Sequence, residues 1–203
     1  WSSDVCSSDL VDCINIADSP MARIRMSAMS LAFQIHGLFP QVEVILHYTT
    51  RDRNLMGLQS DLLGAHALGL RNILCLTGDP PSLGDYPNMT AVYDTNSVGL
   101  IGIVNKMNRG TDDSGTSIGA PTGFSIGCAV NPTAEDLDHE LEHFRKKIDA
   151  GAQFVMTQPV YELSCWENFL KRLGGMPPIP LMIGILPLQS FRHAEFLHNE
   201  VPG

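Results

Sequence analysis

Short apolar runs recur along the chain, each stopped by Gly, Pro, Asn or Asp, and each followed by a longer stretch with apolar residues at helical spacing. The pattern predicts strands over 11–17, 42–47, 73–76, 124–130, 154–157 and 181–186. Between and after them it predicts helices over 20–35, 54–68, 97–107, 133–149, 162–173 and 190–199. Ser19 before Pro20, Thr133 three residues before Asp136, and Ser190 supply start signals, while Gly37, Gly69, Gly151 and Gly174-Gly175 supply stops. One connection, 80–123, is far longer than usual. Apart from its helix it is turn-rich, and residues 109–120 read as a loose surface excursion.

Strand–helix alternation through six units means an α/β protein with a parallel sheet and right-handed crossovers. No Gly-x-Gly-x-x-Gly follows any strand, which weighs against a dinucleotide-binding Rossmann unit. A (β/α)8 TIM barrel needs eight strands and about 250 residues. Six units in 203 residues read as such a barrel, incomplete, with its first and last strands missing. Residues 1–10 are rich in Ser and Asp, lack periodicity and have no basic start; they read as an unrelated leader or tail, leaving 11–203 as the partial barrel.

Hydrophobic residues make up 44% of the chain, enough for a sizeable core. Thirteen Lys and Arg against 22 Asp and Glu give a net charge of −9 without a basic cluster, which argues against nucleic acid or an anionic membrane as partner. No apolar stretch approaches a membrane span of about 20 residues. The five cysteines form no CxxC pair, and Cys75 and Cys128 sit inside apolar runs. They read as reduced, buried thiols of a cytoplasmic protein.

The run Ile73-Leu74-Cys75-Leu76 ends at Thr77-Gly78-Asp79-Pro80-Pro81, where the prolines forbid continuation and Gly78 frees the backbone. Asp79 is therefore a carboxylate at the carboxyl end of a buried strand, the end where parallel folds bind ligands. Capping its own turn is an equally ordinary job for such a residue. Asp18, His47, Thr49, Thr77, Asn131 and Gln158 stand at other strand ends, and in a barrel all converge on one mouth. No nucleophile elbow and no paired carboxylates are present there. His139 and His143 share a helix face, but that face is otherwise charged and reads as solvated, so no metal site is expected. A polar mouth of this kind suits an organic cofactor that carries the chemistry itself.

Leu76-Thr77-Gly78-Asp79-Pro80-Pro81, Gly84-Asp85-Tyr86-Pro87, Ile148-Asp149-Ala150-Gly151-Ala152, Thr157-Gln158-Pro159-Val160-Tyr161 and Gly184-Ile185-Leu186-Pro187 together resemble the methylenetetrahydrofolate reductase family. Ala17-Asp18-Ser19-Pro20-Met21-Ala22-Arg23 and His47-Tyr48-Thr49-Thr50-Arg51-Asp52-Arg53-Asn54 look like the reductase half of bacterial bifunctional homocysteine S-methyltransferase/methylenetetrahydrofolate reductases. The resemblance covers residues 11–203. It implies an FAD-binding barrel that takes a hydride from NADH or NADPH and delivers it to 5,10-methylenetetrahydrofolate, through an iminium cation, to give 5-methyltetrahydrofolate. It also implies a homo-oligomer in the full-length protein.

Carried onto this sequence, the resemblance makes Asp79 and Gln158 catalytic, Asp79 stabilising the developing cation and Gln158 bonding substrate and nicotinamide. It puts His47, Thr77, Gly78, Asp79, Ala129, Glu140 and Lys147 around the cofactor, with Lys147 near the phosphates and Glu140 near the adenosine. It puts Gln158, Tyr161 and Leu197 around the folate. Thr77 replaces an arginine of some relatives, Leu197 a phenylalanine, and a tyrosine and histidine that follow the fifth barrel strand elsewhere have no counterpart near 129–132. The family's glutamate general acid on the first barrel strand would precede residue 11. The expectation is thus a fragment of a flavin-dependent reductase. The alternatives are a non-catalytic module retaining flavin or folate affinity, and the appended half of a homocysteine S-methyltransferase.

Overall fold

The computed structural model describes residues 11–200. Six strands form one parallel sheet in the order β1 (Cys13–Ile16), β2 (Glu43–Thr49), β3 (Asn72–Leu76), β4 (Ser125–Val130), β5 (Phe154–Pro159), β6 (Leu181–Gly184). The intervening helices are α1 (Ala28–Leu38), α2 (Leu55–Ala67), α3 (Ser97–Met107), α4 (Leu137–Ala150) and α5 (Leu163–Leu173), and α6 (Phe191–Glu200) follows β6. The expected parallel alternation is therefore present.

The sheet curls as a partial barrel wall. Side chains from all six strands (Cys13, Ile45, Asn72, Ser125, Phe154, Met182) line a single cavity of about 210 Å³ at the amino ends. In a flat sheet the outermost of six strands would lie about 24 Å apart and could not share it. Alternate residues face outward under the helices: Val44, Leu46, Ile73, Cys75, Ile126, Cys128 and Val155 are buried there with Leu58, Leu62, Leu100, Ile101 and Phe144. The register pairs Gly127 with Phe154, and a Cβ on Gly127 would run into the Phe154 ring, so this glycine is what lets an aromatic side chain cross the inner face.

The start of the first helix departs from expectation. Residues 20–22 make one 3-10 turn, and α1 begins only at Ala28, where Ser27 accepts from the Ser30 N–H at 3.4 Å. Ser19, Met21 and Ala22 have φ of 48°, 55° and 51°, so Ser19 cannot cap a helix. The cause is tertiary: Asp79 accepts from the Met21 N–H at 2.5 Å and Asp85 from the Ile24 N–H at 2.8 Å, drawing this segment over the strand ends.

Smaller departures have similar causes. Asn131 takes up Thr133, accepting from its N–H at 3.0 Å and its hydroxyl at 2.8 Å, so α4 starts later, capped by Asp136. β5 runs on to Pro159 because Pro159 pairs with Gly184 after a shift of register, and β6 stops there. Residues 109–120 are not loose. Asp112 accepts from Ser114 and Thr116, Thr111 bridges Ser117, Gln59 accepts from the Asp113 N–H at 2.7 Å, and Ile118 packs on the core.

Candidate active site

The carboxyl ends of the strands surround a cavity of about 470 Å³, within the range of small-molecule sites. His47, Thr77, Gly78, Asp79, Ala129 and Gln158, named from four separate stretches of sequence, all line it, with Asp18, Met21, Thr49, Leu74 and Met156. His47, Leu74, Ala129 and Met156 are inward-facing strand residues; Asp79 and Met21 come from loops above them.

The Asp79 carboxylate is tied to a loop 58 residues away, through Met21, rather than to its own turn. Its loop is sharply shaped. Gly78 has φ of 93°, and a Cβ there would stand 3.0 Å from Cβ of Thr49 and 3.2 Å from Cβ of Arg51. Only glycine lets the strand end pass this closely. The Thr77 hydroxyl accepts from the Ser97 N–H at 3.0 Å, joining the loop to the start of α3.

Asp18 is buried with its Oδ2 accepting from the Thr49 N–H (3.2 Å), the Thr49 hydroxyl (2.9 Å) and Arg53 Nη1 (2.7 Å). Arg53 also bonds Asp61 at 3.2 Å and lies 4.6 Å over the Tyr48 ring. His47 stands beside Asp18. Burial pushes its imidazole below the usual value, and the Asp18 charge opposes this without overcoming it. Its Nε2 is, among the described residues, the buried side-chain polar atom with no hydrogen-bond partner. His47 also lines the cavity, and a buried nitrogen without a partner is the kind of atom a bound ligand satisfies.

Four residues named from the sequence do not line the cavity. Lys147 is buried, and its ammonium donates to the Ala129 carbonyl at 2.7 Å, beneath the site rather than in it. Glu140 accepts from the Asn131 N–H at 2.9 Å. Tyr161 is 53% exposed, and Leu197 lies on α6. Conversely, Arg51 and Tyr93 brace the Asp79 loop and carried no predicted role. Charged residues directly after an apolar strand mark Arg51 in the sequence; nothing marks Tyr93. His139 and His143 stack with centroids 6.2 Å apart on α4, and no group of three or more metal-ligating side chains occurs among the described residues. Cys75 and Cys128 are buried and free; burial pushes the Cys128 thiol up to about 12.

A family model described as methylenetetrahydrofolate reductase matches residues 7–201. The chain belongs to the methylenetetrahydrofolate reductase family. Methylenetetrahydrofolate reductase 1 of Schizosaccharomyces pombe is 28% identical over 175 residues, covering 80% of this chain and 26% of that protein. Methylenetetrahydrofolate reductase 2 of Saccharomyces cerevisiae is 27% identical over 198 residues, 91% of this chain and 29% of that protein. Methylenetetrahydrofolate reductase (NADH) 1 of Arabidopsis thaliana is 26% identical over 172 residues, 79% and 28%. The chain thus spans between a quarter and a third of these relatives.

Two solved structures share the fold. A Clostridium thermocellum protein that binds two copies of 5-methyl-5,6,7,8-tetrahydrofolic acid matches at TM-score 0.58 and 14% identity, over 92% of this chain and 57% of that one. A 2,3-dimethylmalate lyase matches at TM-score 0.60 and 14% identity, over 94% and 65%. Among the described residues no helix is long and apolar enough to cross a membrane.

Proposed function

We propose that this chain carries the cofactor and substrate mouth of a flavin-dependent reductase that converts 5,10-methylenetetrahydrofolate to 5-methyltetrahydrofolate with NADH or NADPH. The observation that carries the reading is the convergence of His47, Thr77, Gly78, Asp79, Ala129 and Gln158 on one cavity at the carboxyl ends of the strands. Membership of the family supports it. The reading includes closure of the sheet into an eight-stranded barrel in the complete protein, a cytoplasmic location, and kinship with the bifunctional bacterial reductases.

The residues present fit a flavin ring. The unused Nε2 of His47 suits the polar edge of a heterocycle, and the Gly78 backbone can approach a ring face because no Cβ intervenes. A flavin held there would supply the hydride transfer between the nicotinamide and the folate carbon. The chain's own contribution is electrostatic and geometric. Asp79, held by the Met21 N–H, stabilises cationic character on the folate and orients its amine-rich ring. Gln158 offers both a donor and an acceptor to substrate and nicotinamide in turn. Leu74, Leu76 and Met156 would give the ring an apolar lining.

The reading is tested by supplying FAD, NADH and methylenetetrahydrofolate anaerobically and following 5-methyltetrahydrofolate. Formation of product that is lost on Asp79→Asn supports it. Flavin uptake with NADH oxidation but no folate product would favour a flavin-binding module over a folate reductase.

A further inference from the structure

Three consecutive carbonyls at the end of β3 are each captured by a side chain. The Thr50 hydroxyl donates to the Thr77 carbonyl at 3.2 Å. The Tyr93 hydroxyl reaches the Gly78 carbonyl at 3.3 Å and the Asp79 carbonyl at 3.2 Å. Arg51 Nη1 donates to the Asp79 carbonyl at 3.4 Å. We propose that Thr50, Arg51 and Tyr93 are positioning residues that aim the Asp79 carboxylate through its backbone, a role that rests on the function proposed above.

Arg51 is 1% exposed, and its guanidinium is held by Asp52, with Nε at 2.9 Å from Oδ1 and Nη2 at 2.7 Å from Oδ2. Its Nη1 also donates to the Ser19 carbonyl at 3.3 Å. Ser19 lies two residues before Met21, whose N–H holds Asp79 Oδ2. One planar fork therefore ties both loops that set the carboxylate: the one carrying it and the one bonding it. Tyr93 itself has φ of 45°, a conformation a tyrosine keeps only where its surroundings hold it. Fixing the peptides on either side of the Asp79 Cα fixes the direction of its Cα–Cβ bond. The carboxylate can then meet a developing charge without rearranging, which is the condition for electrostatic catalysis.

Tyr93→Phe tests this, since it removes only one hydroxyl. In the FAD-loaded enzyme, kcat for folate reduction should fall about tenfold with KM for folate and affinity for FAD nearly unchanged. In an Asp79→Asn background the same substitution should cost nothing more. Unchanged kcat, or equal losses in both backgrounds, would overturn the proposal. A second readout does not depend on activity. In 15N–1H spectra, the Met21 amide, bonded to Asp79, should shift in Tyr93→Phe, while the Ile24 amide, bonded to Asp85, should not. If neither moves, or both move alike as in a general loosening, the hydroxyl does not aim the carboxylate. A selective Met21 shift in a protein that reduces no folate would sustain the clamp and defeat the functional reading instead.

Discussion

Arg53 Nη1 donates to Asp18 Oδ2 at 2.7 Å, joining the start of α2 to the end of β1 at the wall of the cavity. The side chain of Asp18 is 7% exposed and that of Arg53 21%, so this pair is largely shielded from water. Asp18→Ala would leave Arg53, the Thr49 hydroxyl and the Thr49 N–H without their shared acceptor. A loss of about 3 kcal/mol of stability is expected in denaturant titration. Asp18→Asn, which keeps an acceptor oxygen, should lose about 1 kcal/mol. Equal losses in the two variants would mean the hydrogen bonds contribute little.

Gly78→Ala places a side chain where φ is 93° and where Cβ of Thr49 stands 3.0 Å away. Thr49 ends β2 and Arg51 follows it two residues on; both are buried and cannot swing aside as a surface side chain would. Destabilisation of about 2 kcal/mol follows, together with weakened FAD uptake as the Asp79 loop is pushed from the strand end. Wild-type unfolding and flavin affinity in this variant would contradict the close packing seen here.

Asp79→Asn keeps an oxygen for the Met21 N–H but removes the charge. The fold and FAD uptake should survive, and folate reduction should fall about 10²- to 10³-fold, the usual effect of deleting one preorganised electrostatic contact. Steady-state assay of the purified variant measures this. A drop in stability equal to the drop in activity would point back to a structural carboxylate.

His47 and His66 both have imidazoles pushed below 6.5 by burial, helped at His66 by Arg71. The Nε2 of His66 accepts from the Gly123 N–H at 3.1 Å, which only the neutral ring can do. The unfolded chain therefore takes up these protons first as pH falls through 6.5. Stability is full above that pH and is lost progressively below it. Urea midpoints at about pH 7.5 and 5.5 should differ in that sense, and the difference should shrink in His47→Gln. NMR titration of either imidazole above 6.5 would contradict the direction.

Much of the fold was legible because it rests on local signals. Apolar runs with β-branched residues mark the strands, most of them closed by Gly or Pro, and α3 begins and ends where its pattern does. The segment at residues 19–27 was not legible. A serine before proline reads as a helix start, but Asp79 and Asp85 hold the backbone of Met21 and Ile24 instead. Those partners are about 60 residues distant, and no local pattern encodes them. The same holds for the site. His47, Thr77, Gly78, Asp79 and Gln158 could be picked out because strand ends converge by topology. Tyr93 could not, because a tyrosine in a long turn-rich connection announces nothing about which carbonyl it meets. Lys147, which the resemblance puts near the cofactor phosphates, donates to the Ala129 carbonyl, a partner that no local pattern names either.

The most direct test of the account is a visible absorption titration of the purified chain with FAD, followed by NADH under anaerobic conditions. The account predicts a shifted and structured flavin band on binding, bleaching on NADH, and loss of the shift in Gly78→Ala. A flavin spectrum identical to that of free FAD at all protein concentrations would contradict it, and the cavity around His47 and Asp79 would then serve some other ligand.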